Sequence, residues 1–246
     1  MFPNIRTERY NIGKILSAGS KVYFEKFGAI APVILIVYIP INIILSFIPL
    51  GSDGFERLSL YFRLVQILEL LFGIIATVAV AKIVECSING EPITYAEALK
   101  FSLTRWGWAI AVQLLAGLII LGMFLLLIVP GVIWAIYYTF VVYVVALRGI
   151  GGKTALDYSK RLVKGQWGRV FWIGLLINLL CILAAFIIGF VIEMPFDLLP
   201  ENKIIDIISS TVVDLVIGLF SVIWVVFFLN VDYLRTANKG DTQVCK

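Results

Sequence analysis

Apolar residues gather into long runs separated by short polar stretches, and the run from Leu114 to Leu147 holds no charged residue at all. Uncharged apolar runs of roughly 18 residues or more are what a bilayer-spanning helix requires. The pattern predicts spans at about 28–50, 61–83, 107–129, 132–148, 168–192 and 205–230. The third and fourth are nearly continuous, broken by Pro130-Gly131, and a tight reversal is expected there because Pro followed by Gly favours a turn. The fourth run is short. Its roughly 24 Å at 1.5 Å per residue either thins the membrane locally or keeps its turn buried among other helices.

Between the spans a second periodicity appears. ALDYSKRLVKGQWG (Ala155–Gly168) repeats features of ALKFSLTRWG (Ala98–Gly107): Ala-Leu, an aromatic-Ser pair, basic residues, then Trp-Gly at the start of an apolar run. Helical spacing puts Ala155, Ser159, Leu162 and Gln166 on one stripe with Leu156 and Val163 beside it, and Lys153, Asp157, Lys160 and Lys164 opposite. In 94–106, Thr94 and Glu97 form a capping box, and Tyr95, Ala98, Leu99, Ser102 and Trp106 form the apolar stripe. Ile12–Gly28 is a third copy ending in Phe27-Gly28, with Ile12, Ile15, Leu16, Gly19, Val22 and Tyr23 on one face. The expected architecture is all-α and integral to a membrane. Six transmembrane helices form three hairpins, each preceded by a cytoplasmic-side amphipathic helix, with pseudo-threefold packing. Residues 1–27 form a cytoplasmic N-terminal segment, 28–232 the six-span membrane domain and 233–246 a polar, disordered cytoplasmic tail.

Composition agrees: 61% of the 246 residues are hydrophobic and 15% charged, far from a soluble domain. The first apolar run is too long for a signal peptide core and reads as an uncleaved span. Charge fixes the orientation. With six spans, the side holding both termini and the second and fourth connections carries 17 of the 20 basic residues, leaving Arg57, Arg63 and Lys203 opposite. The positive-inside rule places both termini in the cytoplasm of a multi-pass cell-membrane protein. The other side is acidic, with Asp53, Glu56, Glu193, Asp197, Glu201 and Asp206. Histidine is absent, which removes His-based metal sites and Ser-His or Cys-His nucleophilic pairs. Cys86, Cys181 and Cys245 lack framework spacing and read as reduced thiols, the first and last at the cytoplasmic surface. No cofactor, metal or nucleic acid is expected.

Pro130–Leu176 resembles the core of the glycerophosphoryl diester phosphodiesterase membrane-domain family and related uncharacterised six-span bacterial and archaeal proteins. The shared pattern reads here as Pro130-Gly131, then Ala155, Leu156, Ser159, Leu162, Lys164, Gly165 and Trp167-Gly168. One departure is Arg148, where such proteins often carry an acidic residue. The resemblance implies a membrane partner domain without its catalytic barrel, because the six spans occupy this sequence and the histidine such hydrolysis needs is missing. It carries over no catalytic residue.

Two groups of residues are candidates for function. Glu69 and Asp214 lie roughly 13–15 Å into their spans, with Asn42 at similar depth and Gln66, Ser209 and Ser210 near. A carboxyl at such depth costs about 2.5–3.5 kcal/mol, so it should face helices or water; the pair either lines a pathway or glues helices together. The second group is the basic face Arg148, Lys153, Lys160, Arg161, Lys164 and Arg169, which attracts anionic phospholipid headgroups or a membrane or cytoplasmic protein partner, and also encodes topology. The six tryptophans cluster near span ends, as interfacial anchors do. The leading expectation is a non-enzymatic lipid- or partner-binding accessory or scaffold component of the membrane. The alternative is a transporter of a small solute, ion or lipid working through Glu69 and Asp214, and an intramembrane enzyme ranks last.

Overall fold

The computed structural model describes residues 5–47, 54–193 and 203–244. The expected end of the first span (48–50), the residues Asp53, Asp197 and Glu201, and Cys245 lie outside the described residues. Every regular element among the described residues is helical. They are α1 (Ile12–Glu25), α2 (Phe27–Ser46), α3 (Gly54–Leu68), α4 (Ile74–Asn89), α5 (Tyr95–Leu126), α6 (Ile128–Tyr138), α7 (Val141–Tyr143), α8 (Gly152–Val163), α9 (Trp167–Glu193) and α10 (Lys203–Val244). A π-turn, Glu69–Gly73, joins α3 to α4, and a second, Val144–Arg148, closes α7. Six helical stretches are long and apolar enough to cross a membrane: Phe27–Ser46, Ser59–Asn89, Tyr95–Leu126, Ile128–Arg148, Trp167–Ile192 and Lys203–Ala237. The chain is an all-α, multi-pass membrane protein.

α1 starts where the Asn11 side chain accepts from Lys14 N at 2.9 Å, and ends at Lys26, after which α2 begins at once. Its apolar face, Ile15, Ala18, Gly19, Val22 and Tyr23, is buried. α1 lies on α10 so closely that a Cβ at Gly19 would meet the Ile223 backbone at 2.9 Å. α8 is built alike. It buries Ala155, Leu156, Ser159, Leu162 and Val163 and packs against α5 and α6, with Ser159 Oγ donating to Tyr137 O at 2.8 Å. Lys164, Gly165 (φ +88°) and Gln166 turn the chain into α9; the positive φ is one that only glycine adopts freely.

The second amphipathic stretch departs from expectation. The Thr94–Glu97 capping box is present, with Glu97 N donating to Thr94 Oγ1 at 3.3 Å and Thr94 N to Glu97 Oε2 at 2.9 Å. No corner follows. Residues 95–126 form one continuous helix, about 48 Å long at 1.5 Å per residue. The reason is spacing: Ser102 and Trp106 are four positions apart, whereas Ser159 and Trp167 are eight apart. Leu103-Thr104-Arg105 holds no glycine to make the corner that Lys164-Gly165-Gln166 makes before α9.

The reversal between the third and fourth spans also differs from expectation. It falls at Leu127, in extended backbone, while Pro130 sits in the first turn of α6, where a missing N–H goes unneeded. Gly131 is buried under the Phe124 ring, so its role is close packing across the hairpin. The sixth helix runs past the expected span, and the backbone is helical through Val244, where a disordered tail was expected.

α4 and α10 are the innermost helices, and the protein's centre is filled by fully buried Phe140, Val144, Val226, Phe227 and Phe228. Phe140 lies 5.5 Å from Phe227 and 5.7 Å from Phe228, edge-on and tilted, as aromatic quadrupoles prefer.

Candidate functional site: two polar layers in an apolar bundle

Arg148 ends the second π-turn and is fixed by an αL cap at Gly149. Its guanidinium turns into the bundle. Nη1 meets Glu85 Oε1 at 2.8 Å, and Nη2 and Nε meet Asp232 Oδ2 at 2.6 and 2.8 Å. Glu85 also holds Lys82 at 3.0 Å, and Tyr158 Oη donates to Asp232 Oδ1 at 2.7 Å. Asp232 is 1% exposed and Glu85 6%, so both charges depend on these partners. Two carboxylates face two cations, and the layer is neutral. The spans contribute alternately: Glu85 from the second, Arg148 from the fourth, Asp232 from the sixth. Burial, then the hydrogen bond to Asp232, push the Tyr158 phenol up to about 12, so it remains a donor at neutral pH.

Beside this layer, Asn230 ties down the N-terminal segment. Its Nδ2 donates to Ile5 O at 2.9 Å and Glu8 O at 2.8 Å, and its Oδ1 accepts from Tyr10 N at 3.1 Å and Arg169 Nη2 at 3.2 Å. Arg169 Nη2 also reaches Tyr10 O at 2.7 Å, and Nη1 reaches Gln166 Oε1 at 3.0 Å. Arg148 and Arg169 are therefore turned inward, away from the basic face on which the sequence pattern put them, because each has buried acceptors to satisfy. Lys153 and Arg161 on α8 and Lys164 at its C-cap are exposed. Lys160 is half-buried, with Nζ 4.2 Å from the Trp134 ring centroid.

The second layer lies deeper, among α2, α4 and α10. Asn42 Nδ2 donates to Asp214 Oδ2 at 2.7 Å and Thr211 Oγ1 at 3.3 Å. Glu69 opens the first π-turn and faces Tyr38, whose hydroxyl stands 3.4 Å from Oε2; its carboxylate crosses Gly73, where any Cβ would overlap it. Tyr38, Thr77, Ser221 and Asp214 line a recess of ≈ 20 Å³, room for about one water. The structure unites Asn42 with Asp214 and sets Glu69 one residue away, across Tyr38. Gln66 is exposed and joins neither group; Ser209 is buried and Ser210 exposed. Cys86 is buried, off the surface expected for it, because it sits on the inner helix α4.

Sequence reasoning missed Glu85, Asp232, Tyr158, Tyr38 and Asn230. A usable signal existed for the first two: opposite charges at the same ends of alternate spans. Among the described residues no three His, Cys, Asp or Glu side chains group as a metal site would need.

The fold and its two layers define a polytopic helical membrane protein with a charge-neutral ionic layer at one end of the bundle. No family model, curated protein or solved structure matches the chain.

Proposed function

We propose that this is a non-enzymatic, multi-pass component of the cytoplasmic membrane whose basic α8 collar, cytoplasmic like both termini, engages anionic phospholipid headgroups in an accessory or scaffold role. The observation that carries the reading is the division of α8. Its apolar face is buried on α5 and α6, while Lys153, Arg161 and Lys164 point outward and Lys160 lies over Trp134 at the same level. Each basic group near the surface attracts anionic headgroups by about 1 kcal/mol. The aromatic-filled centre supports a binding role over a conducting one.

The three amphipathic stretches and their hairpins are read as one repeated unit. In support, each lends an aromatic donor to the second span of the unit before it. Tyr23 Oη donates to Leu215 O, Trp106 Nε1 to Leu71 O and Trp167 Nε1 to Ile133 O, which closes a cycle through α10. The resemblance of Pro130–Leu176 to the membrane-domain family named above agrees with a role that carries no catalytic residue.

Native mass spectrometry from mild detergent, with phosphatidylglycerol and phosphatidylcholine supplied equally, tests the reading. Retained phosphatidylglycerol should fall several-fold in Lys153→Gln/Arg161→Gln/Lys164→Gln; equal retention of both lipids by the native chain contradicts it. The recess between Tyr38 and Asp214 favours a second reading, passage of a small cation or proton. That reading requires proteoliposome flux that Glu69→Gln and Asp214→Asn abolish.

A further inference from the structure

α9 differs from the other spans. Of its most apolar stretch 6% is buried, against 44% in α2 and α10. One side, Val170, Ile173, Gly174 and Ile177, packs on α10, where Trp224 covers Gly174. About a quarter-turn away runs a stripe spaced alternately by four and three: Phe171, Leu175, Asn178, Ile182, Ala185 and Gly189. Leu175 is 46% exposed and Ile182 66%, and a side chain on Gly189 would meet open space.

Asn178 is the anomaly on this stripe. It lies eleven residues beyond Trp167, about 17 Å along the helix and thus near the middle of a roughly 30 Å hydrocarbon layer. Its side chain is exposed there. One amide hydrogen goes to Gly174 O on its own helix at 2.9 Å. The second amide hydrogen and Oδ1 have no hydrogen-bond partner among the described residues. A lipid tail satisfies neither, and polar side chains in that setting hydrogen-bond across helices.

We propose that α9 is a self-association surface whose occupant is the α9 of a second copy, packed in parallel about a twofold axis along the membrane normal. A twofold axis sets each residue of the seam against its own counterpart. A carboxamide complements itself there, since the free N–H of each Asn178 reaches the Oδ1 of the other. The alternating spacing is that of a two-helix seam, in which a single asparagine fixes register and pairing. Ala185 and Gly189 let the helices converge toward the far end.

Single cysteines placed in a Cys86→Ser/Cys181→Ser/Cys245→Ser chain and oxidised in proteoliposomes test the surface. Intermolecular disulfides are expected from Leu175→Cys, Ile182→Cys and Ala185→Cys, and not from Leu176→Cys, Leu179→Cys or Leu183→Cys. Equal yields at all six positions, or none at any, overturn the proposal, as does cross-linking in membranes solely to a different polypeptide. Asn178→Leu, a change that leaves the α10 contact alone, should weaken Leu175→Cys cross-linking roughly tenfold, with Asn178→Gln retaining it. Unchanged yield in Asn178→Leu removes the asparagine from the interface.

Discussion

At one end of the bundle, on α4 and α10, Glu85 and Asp232 are buried against Arg148 and Lys82, each carboxylate meeting a cation within 3.0 Å. Farther along the same two chain segments, Glu69 and Asp214 meet a phenol and an amide instead. The first arrangement is an ionic joint between three spans. If one partner is lost, a charge is left stranded where water cannot reach it. The second tolerates loss, because its groups are neutral hydrogen-bonding partners or can become so by binding a proton. Burial and the sign of the neighbours separate the two layers together: Glu85 and Asp232 are buried among cations, whereas Asp214 is half-buried and Glu69 exposed, beside an amide and a phenol.

The largest test of this contrast is Arg148→Met, which strands Asp232, leaves Glu85 with Lys82 alone and should cost about 3–5 kcal/mol in denaturant unfolding in detergent. Adding Glu85→Gln and Asp232→Asn should restore most of it. A triple variant no more stable than the single one would mean that Arg148 acts by packing alone. Next comes Gly19→Ala. A methyl there strikes the Ile223 backbone, so prising α1 from α10 should cost about 1–3 kcal/mol, seen as faster proteolysis of the N-terminal segment. Asp214→Asn should change stability by no more than about 0.6 kcal/mol, the average for an interhelical hydrogen bond in a membrane. A cost as large as that of Arg148→Met would erase the distinction between the layers.

A further effect concerns alkali. The Tyr158 phenol is raised to about 12, so the folded protein holds that proton more tightly than the unfolded chain. Its contribution is intact below about pH 10 and lost as pH rises toward 12. Melting temperature followed from pH 9 to 12 should fall more steeply in the native chain than in Tyr158→Phe. Parallel curves would show that Tyr158 does not sense Asp232.

Much of the fold was legible because hydropathy and helical periodicity are local properties. Ile15, Gly19 and Val22 in α1, like Ala155, Ser159 and Leu162 in α8, were readable as buried faces from spacing alone. The continuous helix at 95–126 was readable in principle, since the three residues between Ser102 and Trp106 include no glycine for a corner. The ionic layer was not. Arg148 closing a span looks like any positive-inside charge, and only the relative height of three helices distant in sequence reveals that it faces Glu85 and Asp232. Asn42 beside Asp214 followed from depth, whereas the separation of Gln66 from that pair depends on helix rotation, which the π-turn at Glu69–Gly73 resets.

Accessibility labelling of single cysteines from either side of sealed membrane vesicles tests the arrangement most directly, using Lys164→Cys on the α8 collar and Lys203→Cys at the start of α10. Lys164→Cys should react with an impermeant maleimide only from the cytoplasmic face and Lys203→Cys only from the opposite one. Labelling of both from one face, or in the reverse sense, would contradict a basic collar lying on the cytoplasmic side of a six-span bundle.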